Sequence, residues 1–158
     1  MADRYPLLQI GCSHSSSSDT ILSSLFLKQP PSLQSCYCSA CCGLYIFLPD
    51  GTISSCWDSL GEKCSYIGCY SEEGLFLYIN KTNYRFNRSV ANIPACLDCK
   101  YCFVCAGGCA QFAEYNYHDI YKPYCGDFPE TYPYVLAEAV ETYLKGPVPA
   151  SVTPEASL

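Results

Sequence analysis

The chain has 158 residues, of which 49% are hydrophobic and 15% charged, and it carries a formal net charge of −6. This length and hydrophobic content predict one globular domain with a core of its own. The acidic balance argues against a nucleic-acid partner, because phosphate contacts need a basic face. No apolar run approaches the roughly 20 residues of a membrane-spanning helix, so no membrane partner is expected.

Cysteine is the residue that departs most from average composition, with 14 copies in the chain. That is about 9% of the residues, a density typical of secreted disulfide scaffolds or of metal ligation. The stretch before Ser18 lacks the apolar segment of a secretory signal peptide. We therefore expect a cytoplasmic protein whose thiols stay reduced and bind metal.

The first half of the chain predicts one short helix and one hairpin. Within residues 1–35, a patch of apolar side chains predicts one or two helical turns packed on another element. The patch consists of Ile21, Leu22, Leu25, Phe26 and Leu27, and it ends before Pro30 and Pro31. Residues 44–57, LYIFLPDGTISSCW, predict a β-hairpin, because two runs of strand formers flank the turn residues Pro49, Asp50 and Gly51.

The second half predicts mainly helix. Residues 58–95 predict one strand and one helix without clear boundaries, and a short helix is expected after Cys109, ending before Pro123. The clearest helix is 131–145, where apolar residues recur at intervals of three and four, Pro133 lies in the first turn and Gly146 follows the end. The expected fold class is α+β, with residues 147–158 as a disordered tail.

The most informative segment is CLDCKYCFVCAGGC, which contains Cys96, Cys99, Cys102, Cys105 and Cys109, and Cys125 follows it. Buried structural thiols usually occur singly, so this density indicates a metal or cluster site, a disulfide framework or a redox relay. The CxxC of Cys96 and Cys99 turns two thiolates toward one centre. Gly107 and Gly108 allow the backbone to approach closely and to aim N–H groups at sulfur.

The cysteine spacing continues upstream. Gly51 is followed by four residues and then Cys56, and nine, twelve and fourteen residues separate Gly51 from Cys41, Cys38 and Cys36. This arrangement resembles the seven-cysteine signature of the SPASM domain. The resemblance also includes the spacing C-x2-C-x5-C-x3-C, the later Cys125 and the phrases FLPDGTISSC and CAGGC. That family is the C-terminal iron–sulfur domain of radical S-adenosylmethionine enzymes that modify peptides and proteins. The resemblance covers about residues 36–146.

The resemblance implies two auxiliary [4Fe-4S] clusters with interlaced ligands. The first group of ligands would be Cys56 and Cys109 with two cysteines before the hairpin, for which we favour Cys38 and Cys41. Cys36 with Cys41 is the alternative pair, and the same segment also offers Cys42. The second group would be Cys96, Cys99, Cys105 and Cys125. The implied role is electron transfer or substrate positioning during peptide or protein modification.

The sequence also departs from the family pattern. Cys12, Cys64, Cys69 and Cys102 have no place in the motif, and their ordinary role would be that of small buried apolar residues. The chain contains no CxxxCxxC, the motif that holds the catalytic cluster of radical S-adenosylmethionine enzymes, and only 35 residues precede the cysteine motif. We therefore expect either a portion of a larger enzyme or a module that works beside one. S-adenosylmethionine would bind only to the barrel domain or protein that is its partner.

Three alternatives to this ligand assignment remain. Cys99, Cys102, Cys105 and Cys109 also spell C-x2-C-x2-C-x3-C, the bacterial ferredoxin run, although Ala110 stands where a proline is usual. Four-thiolate sites suit zinc as well as iron, so a structural zinc-binding interaction module is a hypothesis of a different class. A disulfide framework would require an exported protein. Asp50, Asp98, His14 and His118 are expected in ordinary turn, cap or surface roles.

Overall fold

A computed structural model describes residues 18–28, 33–62 and 65–146. The fold is α+β, as predicted, and combines α-helices with a four-stranded antiparallel sheet. The chain divides into two compact units. The sheet unit comprises residues 38–62 and 65–87, and the helical unit comprises residues 18–28, 33–37 and 88–146. Cys12, Cys64, His14 and the predicted tail 147–158 lie outside the described residues.

The sheet unit is an antiparallel meander of four strands in the order β1, β2, β3, β4: Ile46–Phe47, Thr52–Ser54, Tyr66–Ser71 and Gly74–Leu77. The first two strands form the predicted hairpin, in which Ile46 pairs with Ser54. The pairing of β3 with β4 was not predicted, because the sequence indicated only one strand between residues 58 and 95. Gly68 in β3 makes this pairing possible, since a Cβ there would lie 2.5 Å from the Phe76 carbonyl oxygen.

The hairpin turn is held by its own side chains and by β3. Asp50 Oδ1 accepts hydrogen bonds from the Thr52 amide at 3.0 Å and from its hydroxyl at 2.6 Å. Gly51 has φ +83°, and its carbonyl accepts the amide of Tyr70 at 2.7 Å. The Tyr70 hydroxyl donates to the Leu48 carbonyl at 2.6 Å. The turn role predicted for Asp50 is confirmed.

Helix α2, Ile79–Phe86, follows β4 and supplies the helix predicted in this region. The Thr82 hydroxyl donates to the carbonyl of Ile67 in β3 at 3.3 Å, and the Phe86 ring meets Tyr45 edge to face at 5.4 Å. Ile67 and Ile53 are buried beneath these contacts. The core of the sheet unit is therefore formed by the inner face of the meander and one side of α2.

The helical unit contains α1, α3, α4 and α5: Ser18–Leu27, Cys102–Cys105, Ala110–Tyr117 and Phe128–Lys145. Helix α1 confirms the prediction of a short helix packed on another element, because Ile21 and Leu22 bury against Ala139 of α5. The rings of Phe26 and Tyr143 meet edge to face at 5.0 Å in the same contact. Helix α4 confirms the short helix predicted after Cys109. None of the helices in the described part of the chain is long and apolar enough to cross a membrane.

Helix α5 begins earlier than predicted, at Phe128 rather than residue 131. Pro129 occupies its first turn, where a fixed φ and a missing N–H cost little. Pro133 therefore lies inside the helix, not in its first turn as predicted, and it leaves the carbonyl four residues before it without the usual donor. The end at Lys145, before Gly146, agrees with the prediction.

A second core of the helical unit lies beneath the cysteine-rich segment. Its buried members, Val90, Ile93, Cys96 and Ala106, are joined by the partly buried Tyr37 and Cys102. Backbone hydrogen bonds of 2.8 Å from Val90 to the Ser35 carbonyl and from Gln34 to the Phe103 carbonyl attach residues 33–37 to this core. The cysteine run and residues 33–37 are thus attached to the same small apolar core.

Candidate metal centre

The structure distributes the predicted ligands over both units. The second group lies entirely in the helical unit, whereas the first group has Cys38, Cys41 and Cys56 in the sheet unit and Cys109 in the helical unit. No disulfide bond joins the cysteines that the structure describes. All four predicted ligands of the second group therefore lie within one compact unit.

Short turns wind the first three cysteines of the second group around one region. Cys96 ends the 3-10 helix Pro94–Cys96, and its carbonyl accepts the amide of Cys99 at 3.1 Å. The Cys99 carbonyl then accepts the amide of Cys102 at 3.1 Å, which leads directly into α3. Cys105 is the last residue of α3. Each thiol is thus placed by a tight turn rather than by a long regular element.

The bend at Gly107 and Gly108 brings the fourth cysteine to the other three. Both glycines have positive φ, +75° and +69°. A Cβ on Gly108 would lie 1.8 Å from the carbonyl oxygen of Tyr124, and the Tyr124 amide donates to the Gly107 carbonyl at 3.1 Å. Because the two backbones cross this closely, Cys125, the residue after Tyr124, lies beside the Cys105 loop.

The thiols of the second group are close enough to raise one another's pKa. Burial and repulsion from Cys105, Cys125 and Cys99 raise the pKa of Cys96 to about 11, while Arg88 opposes this shift. Burial and the thiols of Cys125 and Cys99 also raise the pKa of Cys105. Burial, Cys99 and Glu130 raise the pKa of Cys125. Because thiolate repulsion falls with distance, each of these thiols is near the others.

Two backbone donors lie near the thiol of Cys105. Burial raises the pKa of this thiol, and the N–H groups of Gly107 and Gly108 oppose the rise. The Gly108 amide donates a hydrogen bond to the Cys105 carbonyl at 3.2 Å. N–H groups near sulfur stabilise the thiolate form, which is the form that ligates metal. That both glycines aim N–H groups at sulfur stays a prediction.

Arg88 is a charged member of the site that the sequence did not indicate. Its side chain is fully buried. Its Nε donates to the Ile120 carbonyl, and its Nη2 donates to the Gly107 carbonyl at 2.9 Å. Arg88 precedes Cys96 by eight positions, but no spacing rule gives an arginine there a role, so only the fold could reveal it.

A pocket of about 210 Å³ opens beside the second group. Three thiols line it, those of Cys105, Cys109 and Cys125, with four aromatic residues, Tyr37, Phe112, Tyr124 and Phe128. The rings of Phe112 and Tyr124 stack at 5.1 Å. Cys109, predicted for the first cluster, therefore faces the same space as two predicted ligands of the second.

Cys56 of the first group sits in a buried polar frame at the end of β2. The Ser54 hydroxyl accepts the Cys56 amide at 3.3 Å and donates to its carbonyl at 3.2 Å, and the Ser59 hydroxyl donates to the same carbonyl at 3.3 Å. Cys41 is fully buried at the end of the 3-10 helix Ser39–Cys41. Both thiols therefore lie on backbone that is held in place locally.

The cysteines without a place in the motif have other surroundings. Cys102 packs against the buried core of Val90 and Ile93, as an ordinary apolar residue would. Cys69 lies in β3, and its hydrogen bond raises the pKa of the Tyr78 hydroxyl. The thiol of Cys42 donates to the Cys38 carbonyl at 3.5 Å. His118 ends α4 in a left-handed conformation and is exposed.

Among the described residues, no three His, Cys, Asp or Glu side chains are grouped as a single metal ion requires. A [4Fe-4S] cube holds its four sulfur ligands farther apart than a zinc ion does at about 2.3 Å from each sulfur. The chemistry of the second group, four thiols with backbone N–H donors, fits such a cube. No family model, curated protein or solved structure matches the chain, so the assignment of a function depends on the cysteines themselves.

Proposed function

We propose that the chain is an iron–sulfur protein whose helical unit holds a [4Fe-4S] cluster through Cys96, Cys99, Cys105 and Cys125. The gathering of these four thiols around the Gly107–Gly108 bend carries the proposal. Four cysteine thiolates are the usual ligand set of such clusters, and a bound cluster supplies one-electron transfer.

The residues around the second group suit this role. Cys96 is buried in the small apolar core, which keeps water from one side of the site. The N–H groups of Gly107 and Gly108 oppose the rise that burial causes in the pKa of Cys105, and hydrogen bonds to cluster sulfur would stabilise negative charge there. The turn between Cys96 and Cys99 is closed by the hydrogen bond from the Cys99 amide to the Cys96 carbonyl at 3.1 Å.

We further propose a second [4Fe-4S] cluster on Cys38, Cys41, Cys56 and Cys109, as the resemblance to the SPASM domain implies. In this function the clusters transfer electrons or position a peptide or protein substrate for a radical S-adenosylmethionine enzyme. That enzyme would supply the barrel with the CxxxCxxC motif, as another domain or another protein. Such chemistry belongs in a reducing compartment such as the cytoplasm.

Anaerobic purification followed by metal and sulfide analysis tests the proposal. Two clusters predict about eight iron and eight acid-labile sulfide per chain, in a brown protein with broad visible absorption. One cluster in the helical unit predicts about four of each. A colourless protein with stoichiometric zinc would support the structural zinc module instead.

Matched cysteine variants assign the ligands of the second group. Cys105→Ala is expected to lose about four iron per chain, whereas Cys102→Ala, in the same short helix, should lose none, because Cys102 packs on the apolar core. Equal loss in both variants would instead favour the ferredoxin-like run.

The first group is tested in the same way. Cys56→Ala should lose about four iron per chain, and Cys69→Ala, in the neighbouring strand β3, should lose none. Full retention of iron in both Cys38→Ser and Cys41→Ser would exclude the favoured upstream pair. The peptide-modification role predicts that deletion of this chain abolishes the modification made by the barrel-bearing enzyme.

A further inference from the structure

Arg88 is a buried cation whose hydrogen bonds account for only part of its guanidinium. The side chain has no exposed surface. Nε and Nη2 donate to the carbonyls of Ile120 and Gly107, but Nη1 is buried and has no hydrogen-bond partner in the described structure. The guanidinium stays charged in proteins, so one of its donors and its charge lack a partner.

This arrangement is costly unless an anion completes it. A buried ion without a counter-charge destabilises a fold, and neutral carbonyls satisfy donors without cancelling charge. The salt bridge seen in the described residues joins Lys145 and Glu141, both largely exposed on α5. Within residues 18–28, 33–62 and 65–146, no carboxylate forms a salt bridge with Arg88.

The position of Arg88 points to the second group of cysteines. A Cβ placed on Gly107 would lie 3.8 Å from Arg88 Nη2 and 3.7 Å from Cys96 Sγ. The guanidinium and the thiol thus flank the same glycine, and that glycine belongs to the bend that gathers the four thiols. A buried cation with a spare donor lies at the wall of the candidate cluster site.

We propose that Arg88 is the buried counter-charge of the cluster held by Cys96, Cys99, Cys105 and Cys125, and that it raises the reduction potential of this cluster. The inference rests on the proposed function. A cube with four thiolates has a net negative charge, and one-electron reduction makes that charge more negative by one. A nearby fixed cation attracts the reduced form more strongly, so reduction becomes easier.

Arg88 acts through position rather than by touching a substrate. Its Nη2 bond to the Gly107 carbonyl also holds the bend, so a purely structural role must be separated from an electrostatic one. Arg88→Lys retains the charge but loses the planar fork of donors. Arg88→Gln retains hydrogen-bonding groups but loses the charge. Lys100→Gln removes a positive charge next to Cys99 that is exposed and therefore screened by water.

The test is a potentiometric titration of the anaerobically purified full chain, with the reduced cluster followed by electron paramagnetic resonance and iron counted in each variant. Arg88→Gln should lower the ratio of reduced to oxidised cluster at least tenfold at a fixed potential, a shift of about 59 mV toward negative values for a one-electron couple. Arg88→Lys should recover most of this shift, and Lys100→Gln should leave the potential unchanged.

The outcomes separate the two proposals. Wild-type protein without iron and sulfide would overturn the proposed function and the role of Arg88 together. Wild-type protein with the cluster, but an unchanged potential in Arg88→Gln, would overturn the role of Arg88 alone. Equal loss of iron or folding in Arg88→Gln and Arg88→Lys would show that the donor fork matters and the charge does not, which also overturns the inference.

Discussion

The packing of Gly108 against the Tyr124 backbone leaves no room for a side chain and gives the sharpest structural prediction. Gly108→Ala would place a Cβ 1.8 Å from the Tyr124 carbonyl oxygen. The oxygen is part of the backbone, so the whole Tyr124–Cys125 segment must retreat by more than an ångström. This movement would break the 3.1 Å hydrogen bond from the Tyr124 amide to Gly107 and carry Cys125 away from the other thiols.

The magnitude follows from three contributions. A side chain in the left-handed region costs about 1–2 kcal/mol, displacement of packed backbone about 1–3 kcal/mol, and the lost hydrogen bond about 1 kcal/mol. Gly108→Ala should therefore destabilise the helical unit by roughly 3–6 kcal/mol. Gly126→Ala is the matched control, because Gly126 has φ +54° but its Cβ would meet only a Tyr124 ring carbon at 3.8 Å.

Urea unfolding followed by far-ultraviolet circular dichroism measures this difference, because the helical unit contains most of the helix. Gly126→Ala should cost only about 1–2 kcal/mol and keep its iron, whereas Gly108→Ala should lose the iron of the second group. If the two variants unfold at the same urea concentration and hold equal iron, the two backbones do not cross as described and Cys125 is not positioned by the bend.

Two further predictions concern the parts of the fold away from the cysteine run. Leu22→Ala should destabilise the α1–α5 contact by about 2–5 kcal/mol, because Leu22 is buried against Ala139. Leu27 in the same helix is exposed, so Leu27→Ala should cost under about 0.5 kcal/mol. Equal decreases in the thermal unfolding temperature of the two variants would contradict this packing. Hydrogen bonds from Thr52 lower the pKa of Asp50, so its contribution to stability is present above its unfolded pKa of about 3.9 and is lost as pH falls through the lower folded value. The Asp50→Asn variant should therefore lose less stability than the wild-type protein when the pH is lowered. Unfolding followed by Trp57 fluorescence at several pH values measures this difference. Parallel pH profiles of the two proteins would refute the turn role of Asp50.

Local chemistry explains which parts of the fold the sequence could predict. The hairpin was predictable because Pro49, Asp50 and Gly51 specify a turn between two apolar runs. Helix α4 and the end of α5 were predictable from periodicity and from Gly146. The start of α5 was not, because either Pro129 or Pro133 could open a helix and only packing chose the first.

The strand pair β3–β4 was missed for a different reason. Its residues lack the apolar alternation of a half-buried strand, since Leu75, Phe76 and Leu77 are consecutive and all three side chains are exposed. The pairing depends instead on the absence of a side chain at Gly68, which no periodicity reports. The division of the chain into two units also depends on long-range contacts that spacing cannot encode.

The candidate site shows the same limit. The resemblance to the SPASM domain implied a second group of four thiols, and the fold places these thiols near enough to influence one another's pKa; that they ligate a cluster stays a prediction. Spacing could not distinguish Cys102 from Cys105 by position alone, because both lie in one turn of α3; the apolar core beneath Cys102 does so. Arg88 was missed entirely, because the fold, and not the cysteine spacing, brings it beside Gly107 and Cys96.

The two units hold their cysteines by different means, and the difference bears on what each could do. In the sheet unit, Cys56 follows a regular strand, and the buried hydroxyls of Ser54 and Ser59 fix its backbone. In the helical unit, the longest regular element between Pro94 and Cys109 is the four-residue helix α3. The thiols there depend on the glycine bend, on Arg88 and on a small core of Val90, Ile93, Cys96 and Ala106.

A site built in this way gains order from what it binds. Ligands drawn from separate turns lose conformational freedom when a cluster joins them, and the free energy of binding then stabilises the fold. Arg88 adds a charge that only an anionic occupant can balance. The second group is therefore the place where cluster binding and folding should be most strongly coupled, whereas Cys56 is already held by the hairpin and its serines.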